Sequence, residues 1–153
     1  MTLAIAVVAL AVGVGAWLRP MPGPGLAAVL PEPTYTDEQI ASAKANVCEA
    51  FSLVKQGVIT NTHRINPVPG DVIGDLATGV YAPVMIYQGA DYLLGDLATE
   101  PATPPELANA IKSLGRTMKK LAMIDLAIKP DSVRDPVKQA AEADSAAIDE
   151  LCR

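Results

Sequence analysis

The side chains best able to do chemistry in this 153-residue sequence are few: one histidine, two cysteines and four tyrosines. His63 stands beside Arg64 in a polar stretch, and no serine lies in a G-x-S-x-G turn, so a hydrolase base there would have no nucleophile to activate. It reads as a surface residue. One imidazole with Cys48 and Cys152 falls short of the four ligands that a structural zinc or an iron–sulfur cluster takes from a protein. Neither a P-loop, a dinucleotide fingerprint nor an EF-hand loop is present.

Tyr81, Tyr87, Asp91 and Tyr92 form a possible acid–tyrosine group, since Tyr81 and Asp91 could share a helix face with Val84. A phenol seeking a hydrogen-bond partner explains the same pattern without catalysis. Lys112, Arg116, Lys119 and Lys120 make a basic stripe, and Asp135, Glu142 and Asp149 recur at heptad spacing further on. These are expected to be complementary solvated faces of neighbouring helices, each pair contributing a few tenths of a kcal/mol. Gly74, Gly79, Gly89 and Gly95 fall in a single helical stretch, where each costs about 1 kcal/mol against alanine. Close backbone packing accounts for them; a pocket for a lipid or another small apolar ligand is the alternative. The expected inventory therefore holds no catalytic, cofactor-binding or metal-binding residues, and the chain reads as non-enzymatic.

Half of the sequence is hydrophobic but only 4% is aromatic, and there are 25 alanines. Small aliphatic side chains favour closely packed helices over a sheet. The net charge of −5 disfavours a nucleic-acid partner.

Residues 1–18 (MTLAIAVVALAVGVGAWL) carry no charged side chain and are followed by Arg19. They would make about 27 Å of helix against a hydrocarbon core of ~30 Å, with Trp17 at the interface. A single-pass anchor in the lipid bilayer is expected, and a cleaved signal peptide with its exit near Val14-Gly15-Ala16 is the rival, which would make the protein secreted. Residues 19–35 hold five of the thirteen prolines, enough to prevent a helix and give a stiff spacer.

Residues 36–153 read as four helices, at about 36–61, 71–99, 104–128 and 132–152. Thr36 and Gln39 make a capping box, and Ile40, Ala43, Val47, Phe51, Val54 and Val58 then form one apolar stripe. The second helix is expected to bury Leu76, Val80, Val84, Tyr87, Leu94 and Leu97 and to kink at Pro83. Thr103-Pro104-Pro105-Glu106 predicts an N-cap at Thr103, followed by the stripe Leu107, Ile111, Leu114, Met118, Leu121 and Ile128. The fourth helix starts after Asp131 or Asp135 and carries Val133, Val137, Ala140, Ala147 and Leu151. Short connections predict an all-α, antiparallel four-helix bundle.

The succession of a short apolar anchor, a Pro/Ala-rich spacer, TYTDEQIASAKANVCEAF at 34–51 and a helical domain ending in Cys152 resembles the actinobacterial, chiefly mycobacterial, alanine and proline rich membrane protein group. Members commonly have a Pro-rich stretch before the membrane helix, which this sequence lacks. The group has no established activity to carry over. The resemblance implies an envelope protein whose domain lies on the outer, periplasmic side and works with a membrane or envelope partner. A positive-inside count on Arg19 alone would place the domain in the cytosol. The cysteines point outward with the resemblance. Two cysteines behind an export-type segment are most simply a pair. In an up-down-up-down bundle Cys152 arrives near the level of Cys48, so a Cys48–Cys152 disulfide is expected.

Overall fold

The computed structural model describes residues 33–153. The expected anchor at 1–18, and all but the last three residues of the spacer at 19–35, lie outside the described residues. Four helices make up the described part: α1 (Asp37–Thr62), α2 (Val72–Thr99), α3 (Pro105–Leu126) and α4 (Asp131–Leu151). They form a helix bundle, and none is long and apolar enough to cross a membrane.

Local chemistry sets the helix starts. The Thr36 hydroxyl accepts a hydrogen bond from the Gln39 amide at 3.2 Å, and the Gln39 side chain accepts one from the Thr36 amide at 2.9 Å, completing the capping box. Asp71 caps α2 by accepting from the Ile73 amide at 3.1 Å. The start of α3 differs from the expectation. Pro104 occupies the N-cap and Pro105 the first turn, while Thr103 donates its hydroxyl to the Glu100 carbonyl at 2.7 Å. A threonine that already closes the preceding turn is not free to cap the next helix. Helix α4 begins at Asp131, so Pro136 lies within its second turn and not at a second start.

Pro83 does not break α2, which runs as one continuous helix. It is buried in the core with Ile86, Ala90, Leu93 and Leu97. These residues, not the expected Leu76, Val80 and Val84, form the inward face. The last three are exposed, and only Leu97 of the predicted stripe is fully buried. Apolar residues occupy nearly every side of α2, so hydrophobic spacing could not define which side faces in.

Helices α1 and α3 follow their predicted stripes, through Ala43, Val47, Phe51 and Val54 and through Leu107, Ile111, Leu114, Met118 and Leu121. Ile128 departs from the second stripe: it lies past the end of α3 with φ of 49° and is 90% exposed. In α4 the predicted Val133, Ala140 and Ala147 are exposed, and the fully buried side chain is Ile148, flanked by the half-buried Val137, Ala141 and Leu151.

Consecutive helices pack most closely, and α4 returns to α1 at its C-terminal end. There Cys152 is disulfide-bonded to Cys48, with Cα atoms 5.7 Å apart and a sequence separation of 104. Lys55 and Asp149 make an ion pair at 2.5 Å beside it.

Candidate functional site

The helices do not end at a common level. A Cβ placed on Gly89 would sit 2.7 Å from Cγ1 of Val54 and 3.4 Å from Cε of Met118, which marks one level across α1, α2 and α3. Eight residues beyond it α1 ends at Thr62 and α3 at Leu126; eight residues back along α2 lies Tyr81. The stacking of Arg64 on the Tyr81 ring, 5.0 Å from its centroid, fixes the same level independently. The segment Val72–Val80 therefore extends past its neighbours by about 13 Å.

This projection is apolar and uncovered. Val72 is 75% exposed, Ile73 73% and Leu76 64%, and the connecting loop adds Ile65 at 87% and Val68. No residue from Lys55 to Ala82 is buried. Contiguous apolar surface left in water is what marks an interaction site on a soluble domain. The projection is nonetheless structured. Asn66 donates to the Asp71 carbonyl at 3.1 Å and to the Asp75 carboxylate at 2.8 Å, and its own side-chain oxygen accepts from the Val68 amide at 3.0 Å. A Cβ on Gly74 would stand 2.7 Å from the Asn66 amide group, so glycine is what lets this loop lie against α2. At the same end of the bundle the α3–α4 turn exposes Met123, Leu126, Ile128 and Val133. A β-branched residue held in the left-handed region, as Ile128 is, costs on the order of 1–2 kcal/mol.

The residues singled out by their chemistry are dispersed. His63 is exposed at the C-terminus of α1, its Nδ1 2.8 Å from the Ile59 carbonyl oxygen. The tyrosines and Asp91 form no single cluster. Tyr81 belongs with Arg64, whereas Asp91 pairs with Lys119 at 2.5 Å, and the Lys119 ammonium lies 5.4 Å from the Tyr87 ring centroid. The hydrogen bond from Lys119 to Asp91 raises the lysine pKa above its ordinary value.

The expected ionic match between α3 and α4 does not form. Lys119 reaches α2, Asp149 reaches α1, Glu142 pairs within α4 with Lys138, and Asp135 lies 3.9 Å from Arg134. The α3–α4 seam is instead joined by Arg134, which pairs with Asp125 at 2.7 Å, and by Asp144, which accepts from the Ser113 hydroxyl at 3.2 Å and from the Thr117 hydroxyl at 2.9 Å. Neither hydroxyl is charged, so charge spacing could not reveal that contact.

Of the four glycines of α2, Gly89 packs against α1 and α3, Gly74 against Asn66, and Gly79 and Gly95 have nothing within 4 Å of a notional Cβ. They do not line a common pocket. A cleft of about 240 Å³ lies at the opposite end of the bundle, between Leu94, Ala98, Pro101, Thr103, Ala108 and Lys112. Nearby, burial and then the charges of Glu100 and Glu49 push the Asp96 carboxyl above its ordinary range. No group of side chains that could hold a metal occurs among the described residues.

No protein-family model, curated protein or solved structure matches the chain.

Proposed function

We propose that the chain is a non-enzymatic, envelope-anchored interaction or scaffold module, accessory to a membrane or cell-envelope complex. In this reading residues 1–18 hold it to the lipid bilayer, residues 19–35 act as spacer, and the helical domain works on the outer side. The carrying observation is the apolar projection at the start of α2: a bundle with a well-packed core leaves Ile65, Val72, Ile73 and Leu76 in water. Support for the outer side comes from the Cys48–Cys152 pair, because disulfides persist in oxidising compartments. The resemblance of residues 34–51 to the alanine and proline rich membrane proteins supports the same placement.

Protease added to intact spheroplasts is expected to digest residues 36–153, and protection until lysis would overturn the outward placement. Release of a domain beginning near Trp17 into the medium would replace the anchor with a signal peptide. Crosslinking in intact cells is expected to capture a protein partner that the Leu76→Glu, Val80→Glu double variant loses. A stoichiometric small apolar molecule on the purified chain, with no captured protein, would favour the ligand-binding alternative.

A further inference from the structure

We infer that the exposed face of α3 rests on an anionic lipid surface, with its cations against the headgroup phosphates. The inference takes residues 1–18 as a bilayer anchor, from the reading above, and adds how the tethered domain is oriented.

The first argument is the concentration of charge. Four of the twelve lysines and arginines fall within Lys112–Lys120, in a chain whose net charge is −5. No acidic residue occurs between Glu106 and Asp125. Lys112, Arg116 and Lys120 follow one another at four-residue steps, so they form a ridge about 12 Å long on a single face of α3. All three are exposed, as are Asn109 and Met123 on the same face.

The second argument is that the neighbouring helices leave this charge unanswered. On the α2 side Asp91 is taken by Lys119 at 2.5 Å. On the α4 side the Asp144 carboxylate accepts from the Ser113 and Thr117 hydroxyls, and Glu142 pairs with Lys138. Asp125, beyond the end of the ridge, is held by Arg134. None of Lys112, Arg116 and Lys120 makes an ion pair among the described residues. Like charges one helical turn apart repel, and anions shared between them remove that repulsion.

Shape and strength then select the partner. A convex helix face encloses neither a peptide nor a small anion, but it lies flat against a plane. Each cation brought to an anionic bilayer strengthens binding about fivefold, so three give on the order of a hundredfold. A soluble polyanion would have to be captured from solution against the repulsion of an acidic chain. A bilayer that already holds the chain by its anchor needs only to orient it, because the second contact is then intramolecular. Residues 19–35 would reach about 50 Å if extended, more than the roughly 33 Å length of α3, so the tether lets this face lie down. Met123, 55% exposed, continues the face with an apolar side chain that enters the headgroup region as the cations meet its phosphates.

The test places the full chain in vesicles of phosphatidylcholine alone and of phosphatidylcholine mixed with phosphatidylglycerol. A fluorophore is carried on Met123→Cys or, for comparison, on Ser52→Cys, which is exposed on α1. The native cysteines are bonded to each other, so only the introduced thiol takes the label. Quenching by headgroup-labelled lipid is expected to be several-fold stronger at Met123→Cys in the anionic vesicles than in the neutral ones. It should fall to the neutral level in molar salt and stay weak at Ser52→Cys. Lys112→Gln, Arg116→Gln and Lys120→Gln together should remove the difference without changing the circular dichroism melt, while Lys112→Arg with Lys120→Arg should keep it. Equal quenching in the two vesicles, equal quenching at the two sites, or a difference that survives the triple variant overturns the assignment. So does shielding of Met123→Cys by an added acidic protein in preference to the anionic lipid. Flotation in molar salt reads the anchor separately. A chain that floats there without charge-dependent quenching keeps the anchor and loses the lipid-facing ridge. One that floats only at low salt, and only with anionic vesicles, keeps the ridge and loses the anchor.

Discussion

The two halves of α2 have the same apolar composition and opposite fates. From Pro83 to Leu97 the helix contributes six buried residues to the core; from Val72 to Ala82 it contributes none. The difference lies outside the helix, in where α1 and α3 stop. Hydrophobicity supplies a driving force for burial, but neighbouring chain length decides whether the force is satisfied within one molecule. What remains unsatisfied becomes a surface with a purpose or a liability.

The disulfide bears on the buried half and gives the largest expected effect. Replacing Cys48 and Cys152 together by serine opens a loop of 104 residues, worth about 4–5 kcal/mol in the chain-entropy model. Urea denaturation should show the loss, and a midpoint that does not move would mean that the packing of Ile148 and the polar contacts of Arg134, Asp144 and Asp149 hold α4 without the bridge.

Truncation then separates the halves directly. Leu93→Ala removes a side chain that is 1% exposed and should cost about 2–5 kcal/mol in denaturant unfolding, whereas Leu76→Ala should stay within about 0.5 kcal/mol for the isolated monomer. Equal losses would show that the projection is covered in solution.

Glycine substitutions sharpen the contrast by sign. Gly89→Ala forces a methyl group to within 2.7 Å of Val54 and should destabilise by about 1–3 kcal/mol. Gly79→Ala meets open space in a helix interior and should stabilise the monomer by about 0.5–1 kcal/mol. Thermal melts of both variants give the comparison in one measurement.

The smallest effect concerns Asp96, in the packed half. Its folded pKa is raised above 3.8 by burial and by Glu100 and Glu49. A raised pKa means that the protonated form favours the folded state: that contribution is complete below 3.8 and is lost as pH rises through the folded value. Asp96→Asn should therefore raise the melting temperature slightly at pH 7, and the gain should vanish below pH 3.8. A gain that persists in acid would assign the effect to something other than charge.

How much of this was legible in the sequence varied with the element. The capping box at Thr36 was readable from its residue types and spacing, and the stripes of α1 and α3 from apolar residues repeating at threes and fours. The inward face of α2 was not, since a helix apolar on most sides carries no phase information. For α4 the error had the opposite cause: with a single fully buried residue, Ile148, alanines on several sides look equally eligible. The pairing of Cys48 with Cys152 followed from there being two cysteines behind an export-type segment, with the residue count along two antiparallel helices in agreement. The projection itself could not be read, because it depends on the relative ends of three helices and on a loop folded back by Asn66.

The disulfide also sets the route by which the domain carries mechanical load. Cys152 closes α4, so a pull applied between the spacer side and the chain beyond Cys152 passes through about three turns of α1, from Asp37 to Cys48, and leaves by the sulfur bridge. The rest of α1, all of α2 and α3, and α4 up to its last residues sit inside a closed covalent ring that this tension bypasses. A single backbone cut anywhere from residue 49 to residue 151 likewise leaves both pieces joined. A domain tethered at one end and gripped at the other by its projection would instead feel the load across the α1–α2 packing, where Gly89 meets Val54.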